Sequence, residues 1–336
     1  MSSSKENGRI SYIDIAKGIA IICVILGHFC IFEIDRVVYT FHIPIFFLIS
    51  GYFINNKLKI TDFIKEKAKH LLIPYYITCL VIILIALCFA FFNGNIIDTF
   101  IYWFKATLYA AGSSHSKPLN INSIGAIWFL WALFWSSIFL RISLEMKKYM
   151  RMIFIGTIFA FGYFTRNAFW LPLSIQPGAC SVLFMYIGYL IKINKNRIDK
   201  ISPTIRIVGS LTALIITFMF IKNFKSFHLV ECDLGRGIID VIGCLCACWV
   251  VILISQFIDK HTNYLKNFFT NVGHHTLIIL CVHIVEINLL TCCVTSSLIS
   301  LKNLPLFILM VIEKISLNLL ITRFIVTIIK KKNFKN

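Results

Sequence analysis

Polar and apolar positions in this chain segregate into whole segments. Ten apolar runs, at about 17–35, 37–55, 71–92, 124–143, 149–165, 171–193, 204–221, 235–258, 272–294 and 304–329, are separated by short polar stretches. A helix needs ~20 residues to cross a bilayer, so the pattern predicts an all-α, polytopic transmembrane bundle of about ten spans. The stretch 96–111 (IIDTFIYWFKATLYAA) adds a segment that reads as re-entrant or interfacial. The first run has no small-residue cleavage site and is followed at once by another, which argues against a removable signal peptide. The connections average about 14 residues once each helix takes ~20, too few to house a soluble domain. Residues 1–336 therefore read as a single membrane-embedded domain, with its chemistry carried by helices and short loops.

Composition strengthens that picture. The chain is 58% hydrophobic and 14% charged, with a mean hydropathy of +0.83, where soluble domains run at roughly 45–50% and about 25%. A water-soluble enzyme, a disordered chain and a disulfide-stapled secreted domain are excluded. The 33 Lys and Arg against 15 Asp and Glu give a net charge of +18. In a soluble protein that excess suggests nucleic acid; between apolar spans it sets orientation. Of the 33, 23 fall in the N-terminus, the 56–70 segment, alternate loops beyond it and the tail, while 8 fall on the opposite side. Both termini are expected in the cytoplasm, with membrane lipids as neighbours and no nucleic-acid partner. The twelve cysteines include Cys244, Cys246, Cys248 and the pair Cys292–Cys293. A spacing of two turns neighbours ~200° apart on a helix, so they converge on no metal. They read as small residues packed between helices. The chain contains no Walker loop, dinucleotide fingerprint or repeat of 20–50 residues.

Ionisable residues inside spans are functional candidates, because each costs ~2.5–3.5 kcal/mol at a helix centre. The first two runs are rich in them. Asp14 and Lys17 are three apart and share a helix face near the cytoplasmic end. His28 lies ~21 Å further along the same helix, so Asp14 and His28 must have different roles. In the second run Pro44 invites a kink, while Ser50 and Gly51 permit close helix approach. His42 sits at a depth comparable with His28. The two form either one site or a pair of interfacial histidines satisfied by water or backbone. Next comes Lys65-Glu66-Lys67-Ala68-Lys69-His70, with Lys67 and His70 on one face. Such a cluster binds phosphates, or simply marks the inner face and touches anionic lipid.

These residues, in this order, resemble the acyltransferase-3 family of integral-membrane acyltransferases that O-acylate bacterial surface carbohydrates, in particular its fucose 4-O-acetylase-like subgroup. The resemblance rests on Tyr12-Ile-Asp14-Ile-Ala-Lys17-Gly18 through Gly27-His28, on Phe41-His42-Ile-Pro44, and on Ser50-Gly51-Tyr52. It continues with His70-Leu-Leu-Ile-Pro74-Tyr75, Ile127-Trp128-Phe129-Leu130, Tyr186-Ile-Gly188-Tyr189, and Asn271-Val-Gly273 through Thr276-Leu277 to His283. It covers about residues 10–330. Lys17 stands where many relatives carry Arg, which keeps the charge but loses the planar fork. The cytoplasmic Arg-x-x-Arg pair falls on Lys67 and His70. The aromatic residue usual before the late histidine is replaced in Ile-Leu-Cys281-Val-His283. No hydrolase-like domain follows the tenth run, as in the short, membrane-only form.

The resemblance implies a membrane O-acetyltransferase of the bacterial plasma (inner) membrane. Acetyl-CoA is implied as cytoplasmic co-substrate, with no permanently bound cofactor. The implied acceptor is a hydroxyl of a surface polysaccharide or its lipid-linked precursor, such as O-antigen, capsule or exopolysaccharide. Lys17, Lys67, Lys69 and His70 would then bind the CoA phosphates. His28 would be the base that takes the sugar proton, and Asp14 would organise Lys17. His42, Ser50, Trp128 and His283 would contact the acceptor or the oxyanion. With no serine or cysteine nucleophile in a motif, direct transfer is preferred to an acyl-enzyme. A polytopic transporter or flippase and an acyltransferase using another donor, such as succinyl-CoA, are the alternatives.

Overall fold

The computed structural model of the chain describes residues 9–289 and 304–333, and its regular structure is helical. The helices are α1 (Ser11–Gly27), α2 (Phe32–Val38), α3 (Pro44–Tyr52), α4 (Ile60–Asn93), α5 (Ile96–Tyr109), α6 (Trp128–Ser143), α7 (Lys148–Thr165) and α8 (Ile175–Ile193). They continue with α9 (Lys195–Asp199), α10 (Pro203–Lys222), α11 (Ile238–His261), α12 (Asn263–His274), α13 (Thr276–Leu289) and α14 (Leu304–Asn333). Among the described residues there are no strands; isolated bridges join His115 to Ile121 and His228 to Asp233 within loops. Four helices are long and apolar enough to cross a membrane: α4, α10, α11 and α14. They become five if α12 and α13, bent by 72° at a short break, make one broken span. Large apolar side chains such as Phe92, Phe218 and Phe324 stand exposed on them, as lipid-facing residues do. The chain is a multi-pass membrane protein.

Every apolar run holds a helix, but three runs are not the continuous spans expected. The first breaks at His28, which caps α1, and Cys30 follows with φ +54° before α2 starts. A non-glycine residue in that left-handed conformation ends helical pairing. In the second run, regular helix is confined to Pro44–Tyr52. Pro44 does not kink this helix but opens it, at a position where a missing N–H costs no bond. The ninth run breaks at His275, between α12 and α13; its last residues, 290–294, lie outside the described residues, as do Cys292 and Cys293. Conversely, the basic segment before the third run is part of α4, which passes through Pro74 without ending. The stretch at 96–111 is helical over α5.

Glycines set the two closest helix crossings. A Cβ on Gly51 would lie 1.8 Å from the Met185 carbonyl oxygen, and one on Gly188 would lie 1.9 Å from that of Leu48. This reciprocal contact brings the backbones of α3 and α8 together, as small residues do in membranes. Lys192 at the end of α8 donates to the Ile54 carbonyl at 2.8 Å, so the C-terminal ends of α3 and α8 lie together. Gly18 and Gly273 make the equivalent crossing of α1 and α12, against the carbonyls of Phe269 and Asp14. That crossing carries His274 to the first turn of α1.

Candidate active site

The two ends of α1 hold separate polar centres. They lie ~21 Å apart at the helical rise per residue. At the first turn, buried Asp14 pairs with Lys17 at 2.5 Å, as their spacing predicts, and with His274 Nε2 at 3.1 Å. A cavity of about 270 Å³ opens beside them, lined by Arg9, Ile10, Ile13, Asp14, Lys17, Ile49, Phe53 and His274. One carboxylate thus pairs with a lysine and an imidazole, and Arg9 adds a second cation to the cavity wall, an arrangement suited to an anionic ligand.

At the other end the chain packs histidine against histidine. His283 Nε2 lies 3.4 Å from His28 Nδ1, and the rings meet edge to face with centroids 5.1 Å apart. His28 Nδ1 is also 2.7 Å from the Val24 carbonyl. His283 Nδ1 is 3.0 Å from Glu286 Oε2, and Glu286 Oε1 is 3.3 Å from Lys314 Nζ. These acceptors fix the tautomers. A carbonyl at His28 Nδ1 requires the proton there, which leaves the lone pair on Nε2. A carboxylate at His283 Nδ1 requires that proton too, so His283 Nε2 faces the His28 N–H as an acceptor. Lys314 supplies the counter-charge of the carboxylate. The line from Lys314 through Glu286 and His283 to His28 therefore ends on an unprotonated ring nitrogen, which is what a general base needs.

His42 is not bonded to His28 as the shared-depth reading allowed. Its Nδ1 donates to the Val38 carbonyl at 2.6 Å, and its ring packs edge-on against Tyr39. Tyr39 in turn stacks on His228, with centroids 4.7 Å apart. Trp128, the first residue of α6, is buried against Gly112, where a Cβ would lie 2.2 Å from its ring. It follows a segment, 121–127, that Asn288 of α13 ties down through the Ile124 carbonyl at 3.4 Å. Trp128 thus belongs to the wall beside the His283 helix. Ser50 lies in the last turn of α3, beside Ile49 of the Asp14 cavity, away from the histidine pair.

Of the basic cluster, Lys67, Lys69 and His70 all lie on α4, Lys67 half-buried over the Phe63 ring and the other two exposed. None of the three lines the Asp14 cavity; Arg9 and His274 stand there instead. Sequence reasoning missed Arg9, His274, Glu286 and Lys314. The signal for the last two was present: a carboxylate three residues after His283, and a lysine inside the final apolar run, are opposite charges placed where each alone is costly. Among the described residues, no group of three or more His, Cys, Asp and Glu is arranged to hold a metal.

Comparison with known proteins places these centres within one domain model. The model described as "Acyltransferase domain" (Acyl_transf_3) matches residues 10–322. The chain is similar to Nodulation protein NolL of Mesorhizobium japonicum, 29% identical over 151 residues, which is 40% of this chain and 36% of that protein. It is also similar to Nodulation protein NolL of Sinorhizobium fredii, 30% identical over 145 residues, 39% of this chain and 35% of the relative. The chain thus spans about a third of the length of these relatives. No solved structure matches it.

Proposed function

This chain belongs to the acyltransferase family defined by that domain, and from that premise we propose that it transfers an acetyl group from cytoplasmic acetyl-CoA to a sugar hydroxyl. The acceptor is a surface polysaccharide or its lipid-linked precursor, and the protein sits in a bacterial inner membrane as a single membrane-embedded unit. The observation that carries this reading is the line Lys314–Glu286–His283–His28, which leaves His28 Nε2 unprotonated at one end of α1. The phosphates of CoA bind at the other end, against Arg9, Lys17 and His274, with Asp14 holding Lys17 in place. Lys67 and Lys69 add positive charge around the entrance, with His70 beside them on α4. The narrow pantetheine arm runs between the helices and brings the thioester to His28.

His28 Nε2 takes the hydroxyl proton as the sugar oxygen attacks the thioester carbonyl. The new C–O bond forms, the C–S bond breaks, and the thiolate leaves with the proton that His28 gained. The imidazolium formed in between donates from Nδ1 to the Val24 carbonyl, and the Glu286 carboxylate stabilises it through His283. Glu286, His283 and Lys314 act through His28 and are positioning residues. His42 and Trp128 line the acceptor side of the same end. Ser50 serves α3 packing beside the entrance.

The test is mass spectrometry of the surface glycan with and without the gene, in cells carrying the wild-type chain or the His28→Ala protein. Loss of about 42 mass units per modified residue, the mass of one acetyl replacing hydrogen, is expected on deletion and with His28→Ala. Full acetylation by a membrane-inserted His28→Ala protein would overturn the role of His28. Uptake of intact labelled glycan, with no acetyl transfer from labelled acetyl-CoA, would overturn the enzyme-substrate assignment.

A further inference from the structure

A second cavity of about 270 Å³ lies at the other side of the molecule, lined by His115, Ser116, Lys117, Arg166, Asn167, Phe169 and Trp170. It forms between the loop from α5 to α6 and the loop from α7 to α8. The latter leads into the start of α8, whose far end is the one tied to Ile54 beside the Asp14 cavity. The two cavities are therefore separated by the length of α8, ~28 Å at the helical rise per residue.

The loops are held rigidly. The Trp170 N–H donates to the Lys117 carbonyl at 3.0 Å, and the Leu173 N–H donates to the Tyr109 carbonyl at 2.7 Å. Gln176, fully buried, accepts from the Leu171 N–H and donates to the Phe169 carbonyl. Burial holds the His115 imidazole below its ordinary pKa against the opposite pull of Glu231, and its ring stacks on Trp170 with centroids 3.8 Å apart.

This rigid frame presents donors without acceptors. Neither Lys117 nor Arg166 has a carboxylate partner among the described residues. Arg166 rests over the Tyr163 ring at 3.9 Å and gives one N–H to the Tyr163 carbonyl, leaving most of its fork uncommitted. Trp170 is 1% exposed, yet its Nε1 has no hydrogen-bond partner among the described residues. An orphaned buried donor is expensive unless a ligand completes it.

Resting on the reading above that the acceptor is a glycan, we propose that this cavity is a subsite for an anionic sugar of the acceptor. It would bind the carboxylate of a uronate-type residue through Lys117 and Arg166, with Ser116 and Asn167 for neighbouring hydroxyls. The polar lining favours a sugar over a lipid headgroup with acyl tails. The position also fits: the loop that carries Lys117 continues to Gly125, which packs near Asn288 and Ile284, beside His283. Eight residues of chain reach at most roughly 28 Å, a span that a few sugars of one acceptor chain can cover.

The test uses full-length protein in nanodiscs and calorimetric titration with trigalacturonate, maltotriose and the same nanodiscs enriched in phosphatidylglycerol. The wild-type chain is expected to bind trigalacturonate about tenfold tighter than maltotriose, with the preference weakening as salt rises. The Lys117→Ala/Arg166→Ala variant should lose that preference, and Arg166→Lys should retain part of it, which separates a lost subsite from a misfolded chain. Equal binding of the two trisaccharides, a preference untouched by the double variant, or its abolition by phosphatidylglycerol would overturn the proposal. If wild type binds selectively but transfers no acetyl group, the subsite stands and the acetyltransferase reading fails. If it transfers acetyl groups to sugars without selectivity, the reverse holds.

Discussion

At its first turn α1 puts Asp14 between Lys17 and His274 on an open cavity, whereas at its end His28 is shut against His283 and its own Val24 carbonyl. Both centres use histidine and carboxylate, but the order differs. At the open end the carboxylate sits among cations and leaves positive charge facing outward. At the closed end the carboxylate and the lysine are set back, behind His283, and a neutral nitrogen comes last. The first arrangement attracts and holds an anion; the second withholds charge from the reacting position until a proton arrives. A donor carrying several phosphates needs the former, and a weakly acidic hydroxyl needs the latter.

The sharpest way to break this division is His28→Ala. A general base contributes roughly 10²–10⁴-fold, so acetyl transfer in membranes should fall by about that factor, with acetyl-CoA binding unchanged. Glu286→Gln comes next. Without the carboxylate the His283 tautomer is no longer fixed and the imidazolium loses its counter-charge, so kcat should drop, by less than with His28→Ala. Its pH–rate profile should move as well, whereas a merely structural defect would lower the amount of folded protein at every pH. Lys17→Ala should act in the opposite sense, raising KM for acetyl-CoA about tenfold with kcat nearly unchanged and with weaker dependence on salt. A fall in kcat alone would erase the contrast between the two ends. Lys67→Ala and His70→Ala should change KM by only about twofold at low salt, as charges acting at a distance do. A loss as large as that of Lys17→Ala would return them to the binding site itself.

Gly51→Leu tests the α3–α8 crossing beside the Asp14 cavity. The side chain would enter the Met185 carbonyl, and overpacking of this kind costs roughly 1–3 kcal/mol, read as a lower midpoint of thermal unfolding in detergent.

How much of this was legible beforehand differs by residue. Asp14 and Lys17 sit three apart on one helix, so their pairing needs only helical geometry. The close approach at Gly51 likewise follows from residue type, although its partner Gly188 does not. Pro44 shows the limit of a local rule: a proline in an apolar run suggests a kink, but tertiary packing ended the preceding segment so that the same residue begins a helix. His28 and His283 were each recognisable as polar groups in apolar runs. That they touch, and that His42 turns to Val38 instead, depends on how α1, α2 and α13 are arranged. Lys67 and His70 were recognisable as a basic pair on one helix face, but their place on α4, outside the lining of the Asp14 cavity, depends on tertiary packing.

The sequence by itself determined a helical membrane protein and the acyltransferase motifs, because hydrophobic length and short-range spacing are local properties of a chain. Only the tertiary structure decided which ionisable groups meet. His274 reaches Asp14 across 260 residues, and His283 reaches His28 across 255. Contacts at that separation follow from helix crossings, the α1–α12 one set by Gly18 and Gly273, and no window along the chain contains both partners.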